Sequence, residues 1–270
     1  MSFYTSLNGL KNAQTDLGVI SNNIANAETN GFKKSTVAFA DIVAGSAFTN
    51  PKLILGIGAT VEAINQNFAQ GPVEQTGNAL DLVVNGDGFF TTKSAVSGDT
   101  LYTRNGAFEL DENGYLVRGN GNRLQAYATD AAGVVTGTTP QSVQIPATNT
   151  AGAQFAGVAV GKNGVITASY ADGSNVAVGQ LALASFLAPG GLRQEGSSNW
   201  SVTGLSGSAT YGAPDSGFYG GILSGALERS NVDLSEEMVG LITAQRNFQA
   251  NAKAIDTATQ ISQTIINLRT

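Results

Sequence analysis

The sequence contains neither cysteine nor histidine, and these two absences exclude much of the usual chemistry of enzymes. Without cysteine, the chain can form neither disulfides nor thiolate metal sites. Without histidine, it lacks the commonest general base and a common metal ligand, so Ser-His-Asp, Cys-His and histidine-ligated zinc sites are excluded. Only carboxylate, lysine, tyrosine or serine–lysine chemistry would remain for an enzyme.

Charged residues are scarce as well. They make up 13% of the 270 residues, about half of the usual share. The net charge is −6 and the 14 Lys and Arg residues are scattered, whereas a nucleic-acid partner requires a basic patch. We therefore predict no nucleic-acid partner, and the low charge favours a surface that neighbouring molecules largely cover.

Long hydrophobic runs are also missing. No stretch approaches 18 consecutive apolar residues, so we predict no membrane insertion. The N-terminus lacks the basic region and the compact apolar region of a secretory signal. If the protein leaves the cytoplasm, we expect it to use a route that reads a different signal.

Both ends of the chain carry apolar residues at spacings of three and four, which is typical of one face of an α-helix. The spacing predicts helices over residues 3–26 and 234–268. Asp233 is a predicted N-cap, with Glu236 placed to complete a capping box. The N-terminal stripe comprises Phe3, Leu7, Leu10, Ala13, Leu17, Ile20, Ile24 and Ala27. The C-terminal stripe comprises Leu234, Met238, Leu241, Phe248, Ala252, Ile255, Ala258, Ile261, Ile265 and Leu268.

The middle of the chain is rich in Gly, Asn, Thr and Val with alternating apolar residues, which predicts antiparallel strands joined by tight turns. We expect a hairpin with strands at 80–84 and 89–92, and further turns at 105–106, 111–114, 162–164 and 170–174. Residues 128–157 are predicted to form a long loop or a weakly paired excursion that could be a small outer domain, and residues 187–227 look irregular. Residues 33–75 remain unassigned apart from a possible strand at 53–57.

These patterns together predict an α+β fold. We expect the terminal helices at 1–30 and 232–270 to form one layer, with connecting segments at 31–76 and 212–231. The central β domain is expected to span residues 77–211.

Residues with possible catalytic roles have simpler structural explanations. Asp81, Asp87 and Glu109 lie near predicted strands, as a carboxylate-dependent glycoside hydrolase would require, but turn and surface positions explain them. Glu236 and Glu237 lie in a helical first turn, where acidic residues are common. We predict no catalytic residue, cofactor site or metal site.

The two apolar stripes allow two interpretations. They could pack on each other within one chain, or they could be covered by other copies. Because the C-terminal stripe is long and the predicted sheet has nothing obvious to cover it, we predict that the stripes form a self-assembly interface.

Four ordered motifs resemble the bacterial flagellar rod and hook proteins. The first motif is the N-terminal signature. It comprises residues 21–27, with Asn22, Asn23 and Asn26, and residues 29–33, with Gly31 and Phe32. Residues 77–90 and 102–117 are similar to the internal motifs of the family. Residues 227–234, followed by 244–249 with Gln245, Arg246 and Asn247, resemble its C-terminal signature.

The resemblance implies a structural subunit that polymerises into a hollow helical tube, with the terminal helices as a coiled-coil-like inner layer. Residues 1–3, 39–41 and 266–269 are most similar to hook proteins, whereas the chain length is closer to that of distal rod proteins. We predict a hook-type subunit that transmits torque from the motor to the filament and passes exported subunits. A distal rod protein and, more remotely, a secreted β-sandwich binding module are the alternatives.

The partners and the location follow from the same resemblance. We expect contacts with other copies, with rod and hook–filament junction proteins, and with the hook cap and the type III export apparatus. The expected location is the hook or basal body, at the cell surface or, for a rod protein, in the periplasm.

Overall fold

The computed structural model describes residues 2–44, 55–130 and 133–267, which form two compact units. The first unit combines Met1–Ala27, Lys34–Asn67 and Val232–Thr270. The second combines Glu28–Lys33 and Phe68–Asn231. The two chain ends therefore fold together, as one unit separate from the central part of the chain.

The first unit contains both terminal helices and a β-hairpin. Its elements are α1 (Ser2–Ala25), β1 (Ser35–Ala44), β2 (Leu55–Gln66) and α2 (Leu234–Asn267). Both helices begin and end close to the predicted residues. Asp233 caps α2 as predicted, since its Oδ1 accepts hydrogen bonds from the N–H groups of Ser235 and Glu236 at 2.8 and 3.2 Å. Leu268, the last residue of the predicted stripe, lies outside the described residues.

The hairpin of β1 and β2 is absent from the sequence prediction. The two strands pair antiparallel from Ser35 opposite Gln66 to Ala44 opposite Leu55, with two register irregularities. Each irregularity shifts the alternation of side chains by one position, so the period-two pattern that would reveal a strand is broken. Part of the predicted strand at 53–57 lies in β2, and residues 53 and 54 lie outside the described residues.

The second unit consists of strands and irregular connections. Its described strands are β3 (Val73–Gln75), β4 (Leu82–Asn85), β5 (Phe89–Lys93), β6 (Thr100–Thr103), β7 (Glu109–Leu110), β8 (Leu116–Val117), β9 (Arg123–Tyr127), β10 (Gln141–Ser142), β11 (Phe155–Val160), β12 (Val165–Tyr170), β13 (Asn175–Leu181), β14 (Leu183–Ser185), β15 (Arg193–Gly196), β16 (Asn199–Ser201), β17 (Thr210–Gly212), β18 (Gly221–Ser224) and β19 (Ala226–Glu228). Pro189–Gly191 forms a short 3₁₀ turn.

Within the described residues, thirteen of these strands form one sheet whose main path runs β11-β12-β13-β9-β5-β6-β16-β15. All strand pairs along this path are antiparallel. Two further pairs, β18 with β4 and β19 with β3, are also antiparallel. The predicted α+β class is confirmed.

Three predicted turns connect paired strands. β7 pairs with β8 across residues 111–114, β11 with β12 across 161–164, and β12 with β13 across 171–174. A glycine takes positive φ in each turn: 79° at Gly114, 75° at Gly164 and 81° at Gly173. These hairpin predictions are confirmed because local turn chemistry determines the pairing.

Two predicted hairpins are wrong. β4 pairs with β18 and β5 pairs with β6, so residues 85–88 do not join a hairpin. Positive φ occurs at Gly86 and Gly88 but not at two consecutive residues, which a type I′ turn requires. At 105–106 a Cβ on Gly106 would lie 1.8 Å from the Leu82 carbonyl oxygen, so this glycine permits close backbone packing instead of a hairpin turn.

The segment predicted to be irregular, 187–227, contains β15 to β18 and part of β19, so that prediction is also wrong. These strands are three or four residues long and pair with distant partners such as β4 and β6. Residues 128–157 agree better with the prediction, since they contain β10, isolated bridges and the start of β11.

Two apolar clusters fill the second unit. Consecutive residues of β5 enter different clusters, because side chains alternate along a strand. Phe90 packs with Phe108, Leu124 and their neighbours, whereas Phe89 packs with Trp200 and Phe186. In the described part of the chain, neither helix has the length and apolar character needed to cross a bilayer.

Candidate interaction surface

The two terminal helices pack against each other in an antiparallel pair. Asn23 of α1 is hydrogen-bonded to Glu237 of α2. Further along, a Cβ on Gly240 would lie 3.5 Å from the Ile20 Cδ1 atom, and a Cβ on Gly9 would lie 2.4 Å from the Asn251 Oδ1 atom. The contacts therefore move towards the N-terminus of α1 as they move towards the C-terminus of α2, which makes the pair antiparallel.

Small residues allow the helices to approach closely. Ala13 and Ala244 are 7% and 1% exposed, and the glycine at position 9 faces Asn251 where a larger residue would collide. Two α-helices whose contact residues are small can pack with their axes at the short end of the usual range, about 8 Å.

The predicted stripe residues divide into two groups. The first group is partly buried and comprises Leu7, Leu10, Leu17, Ile20, Ile24, Leu241, Phe248 and Ile255. The second group is exposed and comprises Phe3 (42%), Leu234 (41%), Met238 (55%), Ile261 (55%) and Ile265 (60%). A single chain therefore covers only part of the stripes, and their role in self-assembly stays a prediction.

Some exposed apolar residues are missing from the predicted interface. Val239 and Ile242 of α2 are 66% and 50% exposed, Ile266 is 63% exposed, and Tyr4 of α1 is 71% exposed. Val239 and Ile242 lie three residues apart and so are neighbours on the helix surface. This spacing in the sequence indicates a second row of apolar residues beside the predicted stripe. Together with Met238, these two residues form an apolar patch on the first turns of α2.

The longer helix extends past the shorter one. α1 has 24 residues and α2 has 34, so their lengths are about 36 and 51 Å. Given the antiparallel pairing, Ser2 lies opposite about residue 258 of α2. Every residue from 259 to 267 is exposed. We refer to residues 259–267 as the tail.

A buried polar cluster holds the other end of the helix pair. Asn23 is fully buried, and its amide nitrogen donates to the Ser35 carbonyl oxygen at 2.8 Å and to Glu237 Oε2 at 3.0 Å. Its amide oxygen accepts a bond from the Ser35 N–H at 3.0 Å. One amide side chain therefore ties α1 to the start of β1 and to α2, which gives a physical reason for this residue of the N-terminal motif.

Charged groups surround Asn23. Lys34 Nζ lies 2.8 Å from Glu237 and 3.1 Å from Glu236. Burial lowers the pKa of Lys34, but its bonds to Glu237 and Glu236 outweigh this effect and raise the pKa overall. Burial and the charge of Glu237 raise the pKa of Asp16. Lys34 therefore pairs with two carboxylates, and with Asp16 beside Glu237 the cluster has an excess of negative charge.

The hairpin packs on α1 through a further amide. Asn12 Nδ2 donates to the Ala59 carbonyl oxygen at 2.8 Å. The side chains of Asn22 and Asn26 lie close to each other at the last turn of α1, where Asn26 Nδ2 donates to the Asn22 carbonyl oxygen at 2.9 Å. Gln245, Arg246 and Asn247 are exposed on α2.

The remaining motif residues, Gly31 and Phe32, lie in the second unit, which we call the β unit. Gly31 donates its N–H to the Glu228 carbonyl oxygen at 2.7 Å, and Phe32 is 4% exposed. The next residue, Lys33, is fully buried with its Nζ 2.5 Å from Glu228 Oε1. Glu228 Oε1 also accepts the N–H of Gly71 at 3.0 Å.

This buried ion pair joins the two chain segments of the β unit, Glu28–Lys33 and Phe68–Asn231. Burial lowers the pKa of Lys33, and the neighbouring Glu228 carboxylate opposes that effect. Arg104 lies 3.7 Å from Glu228 Oε2. Removing one member of a buried pair costs about 3–5 kcal/mol because the other charge is left unpaired. The motif residues are thus anchored at a junction between chain segments that lie far apart in the sequence.

The carboxylates considered for catalysis are structural or solvent-exposed. Asp81 accepts hydrogen bonds from Thr76 Oγ1 at 2.5 Å and Asn78 Nδ2 at 3.3 Å, so it closes a turn. Asp87 and Glu109 are exposed. In the parts of the chain that the structure describes, no three Asp or Glu side chains are grouped as metal ligands.

These features define a class of protein in which both chain ends and one hairpin form the first unit, which we call the helical unit, while most of the chain between the ends forms the β unit. Three family models match the sequence. They are described as flagella basal body rod protein (residues 3–33), flagellar hook protein FlgE/F/G D1 domain (83–168) and flagellar basal body rod FlgEFG protein C-terminal (223–268).

Full-length relatives agree with these matches. The chain is 37% identical over 281 residues to the flagellar basal-body rod protein FlgG of Bacillus subtilis (strain 168), covering 99% of this chain and 98% of the relative. It is 32% identical to FlgG of Agrobacterium fabrum, with 95% of each chain covered. It is 28% identical to the flagellar hook protein FlgE of Escherichia coli (strain K12), over 410 positions that span both chains completely. The chain belongs to the flagellar rod and hook protein family.

Proposed function

We propose that this chain is a non-catalytic structural subunit that polymerises into the hollow helical axial tube of the flagellum. The observation that carries this proposal is the exposed apolar surface of α2. Met238, Val239 and Ile242 are exposed at its start, and Ile261, Ile265 and Ile266 are exposed on the tail. Monomeric soluble proteins rarely leave extended apolar surface uncovered. Because the chain belongs to the rod and hook protein family, we infer that other copies of the chain cover the apolar surface of α2.

In this proposal the terminal helices, at 1–30 and 232–270, form the inner layer of the tube. The central β domain at 77–211 forms the outer layer, and the segments at 31–76 and 212–231 connect them. Contacts that repeat head to tail without closing into a ring give an open helical polymer. Torque would pass along such contacts from one copy to the next.

We infer that the subunit is of hook type. The residues that support this assignment lie at 1–3, 39–41 and 266–269, where the sequence is most similar to hook proteins. The second candidate is a distal rod protein. The alignment with FlgG of Bacillus subtilis favours this candidate, because it spans 281 positions and is only slightly longer than this chain. The alignment with E. coli FlgE spans 410 positions and thus includes many residues that this chain lacks.

The proposed partners are other copies, rod and hook–filament junction proteins, the hook cap and the type III export apparatus. The proposed location is the hook outside the cell, or the periplasm if the protein belongs to the rod.

Electron microscopy of native flagella with an antibody against residues 95–99, an exposed stretch of the β unit, tests this assignment. Label on the curved segment outside the cell is expected for a hook subunit. Label confined to the straight shaft within the envelope would overturn the hook assignment in favour of the rod. Absence of label from flagella that carry every other axial part would overturn the structural role itself.

A further inference from the structure

An open groove lies at one end of the helix pair. It is lined by the last turns of α1, the start of β1 and the first turns of α2, and its volume is 410 Å³. Val19 and Ile20 of α1, Val37 of β1 and Val239 of α2 supply apolar walls. We refer to this feature as the groove.

The polar rim of the groove is acidic. Asp16, Glu236 and Glu237 face it, together with the single lysine at position 34. Glu236 has a side chain that is 71% exposed, so part of this negative charge remains available to a ligand. The groove therefore fits an apolar segment that carries positive charge or none.

The tail at the opposite end of the helix pair has this character. Ile261 and Ile265 lie four residues apart and so share one side of α2, and Ile266 lies next to them. Each of the three is more than half exposed. After Asp256 the sequence contains one charged residue, Arg269, which lies outside the described part of the chain. The tail is therefore an apolar helical segment without charged side chains.

The tail cannot occupy the groove of its own chain. The tail and the α2 residues that line the groove belong to one continuous helix from Leu234 to Asn267. Val239 and Ile265 are separated by about 26 helical residues, which corresponds to about 39 Å. Any tail in the groove must therefore come from a second copy.

We propose that the tail of one copy docks in the groove of the next copy. Isoleucine side chains of the tail pack against Val19, Ile20, Val37 and Val239, and the tail brings no negative charge to the acidic rim. Groove and tail lie at opposite ends of one helix pair, so the contact is head to tail and repeats indefinitely. This inference rests on the proposed function and names the surfaces through which the helical units bind one another.

The absence of cysteine makes the contact testable by disulfide cross-linking. Val239→Cys/Ile265→Cys places one thiol in the groove and one on the tail, too far apart within a chain for a disulfide, which needs Cα atoms within about 7 Å. Oxidation of the polymer is expected to give a ladder of covalent oligomers with a 239–265 linkage identified by mass spectrometry. The matched control, Ala250→Cys/Ile265→Cys, keeps the tail thiol but moves the other to an exposed position of α2 outside the groove.

The outcomes separate this contact from the proposed function. Polymers that form but give no 239–265 linkage, or give equal ladders in both variants, would overturn the contact and leave the axial role intact. A chain that forms no polymer at all under electron microscopy would overturn both. A tail thiol linked to a different flagellar protein, without linkage between copies, would also overturn the contact.

A second pair of variants uses the tail alone. Ile261→Ser/Ile265→Ser is expected to abolish polymerisation while the monomer keeps its helical circular dichroism and its unfolding midpoint, because both residues are exposed. Gln260→Ser/Gln263→Ser alters polar residues on the same tail and is expected to polymerise normally. Normal polymerisation of the isoleucine variant would overturn the contact.

Discussion

At the scale of single residues, Gly31 shows how one position of the N-terminal motif is restricted to glycine. Its φ of 68° lies in the left-handed region, and a Cβ there would be 2.5 Å from the Asn105 backbone nitrogen. Both a conformational and a steric reason exclude other residues. Gly77 has a similar φ of 76°, but no atom lies within 4 Å of the position that a Cβ would take there.

These two glycines provide a matched test. We expect Gly77→Ala to lower the free energy of unfolding by about 1 kcal/mol, since only the left-handed backbone is disfavoured. Gly31→Ala should lower it by at least about 3 kcal/mol, because backbone atoms of Asn105 must also move. Urea unfolding measures both values. Equal losses would contradict the proposed steric contact at Gly31.

The sequence predicted which residues belong to the motifs, but not what most of them do. Asn23 was recognised in the N-terminal motif, whereas its bonds to Ser35 and Glu237 depend on contacts made after folding. The Lys33–Glu228 pair joins residues 195 positions apart, and no local pattern indicates such a partner. The roles of Asp233 as a helix cap and of the turn glycines are predictable from the sequence, because these roles depend only on the neighbouring backbone.

At the scale of secondary structure, the helices were predictable and many strands were not. Apolar spacing over 24 and 34 residues gives a long signal, and it defined both helices closely. The strands β15 to β19 have three or four residues each, too few for a period-two pattern to stand out. The pairing of β4 with β18 depends on tertiary contacts, so the predicted local hairpin at residues 85–88 failed.

The helix pair also has a consequence that can be measured. Ala244 is 1% exposed, whereas Ala250 on the same helix is exposed. Ala244→Leu should destabilise the helical unit by about 1–3 kcal/mol, because a larger side chain does not fit in a packed interface. Ala250→Leu should change stability by less than about 0.5 kcal/mol. Unfolding followed by far-ultraviolet circular dichroism compares them, and equal effects would contradict close packing of the helices at Ala244.

At the scale of the whole molecule, the exposed part of α2 connects the fold to the proposed assembly. The partner helix α1 pairs with α2 only as far as about residue 258, so the tail remains uncovered in one chain. The patch of Met238, Val239 and Ile242 lies beside α1 but is also exposed. The sequence predicted stripes that need other copies, and the folded chain leaves only part of those stripes exposed. The length of the tail depends on the difference in length between the two helices, which the stripe of one helix alone does not show.

The most direct test of this account compares amide hydrogen exchange in the monomer and in the polymer. In the monomer, residues 259–267 should exchange faster than residues 237–255, which pair with α1. In the polymer, exchange of 259–267 and of the turns around Val239 should slow, while exchange near the exposed Val96 of the β unit should stay unchanged. Equal exchange of the tail in monomer and polymer would contradict the claim that other copies cover the apolar surface of α2.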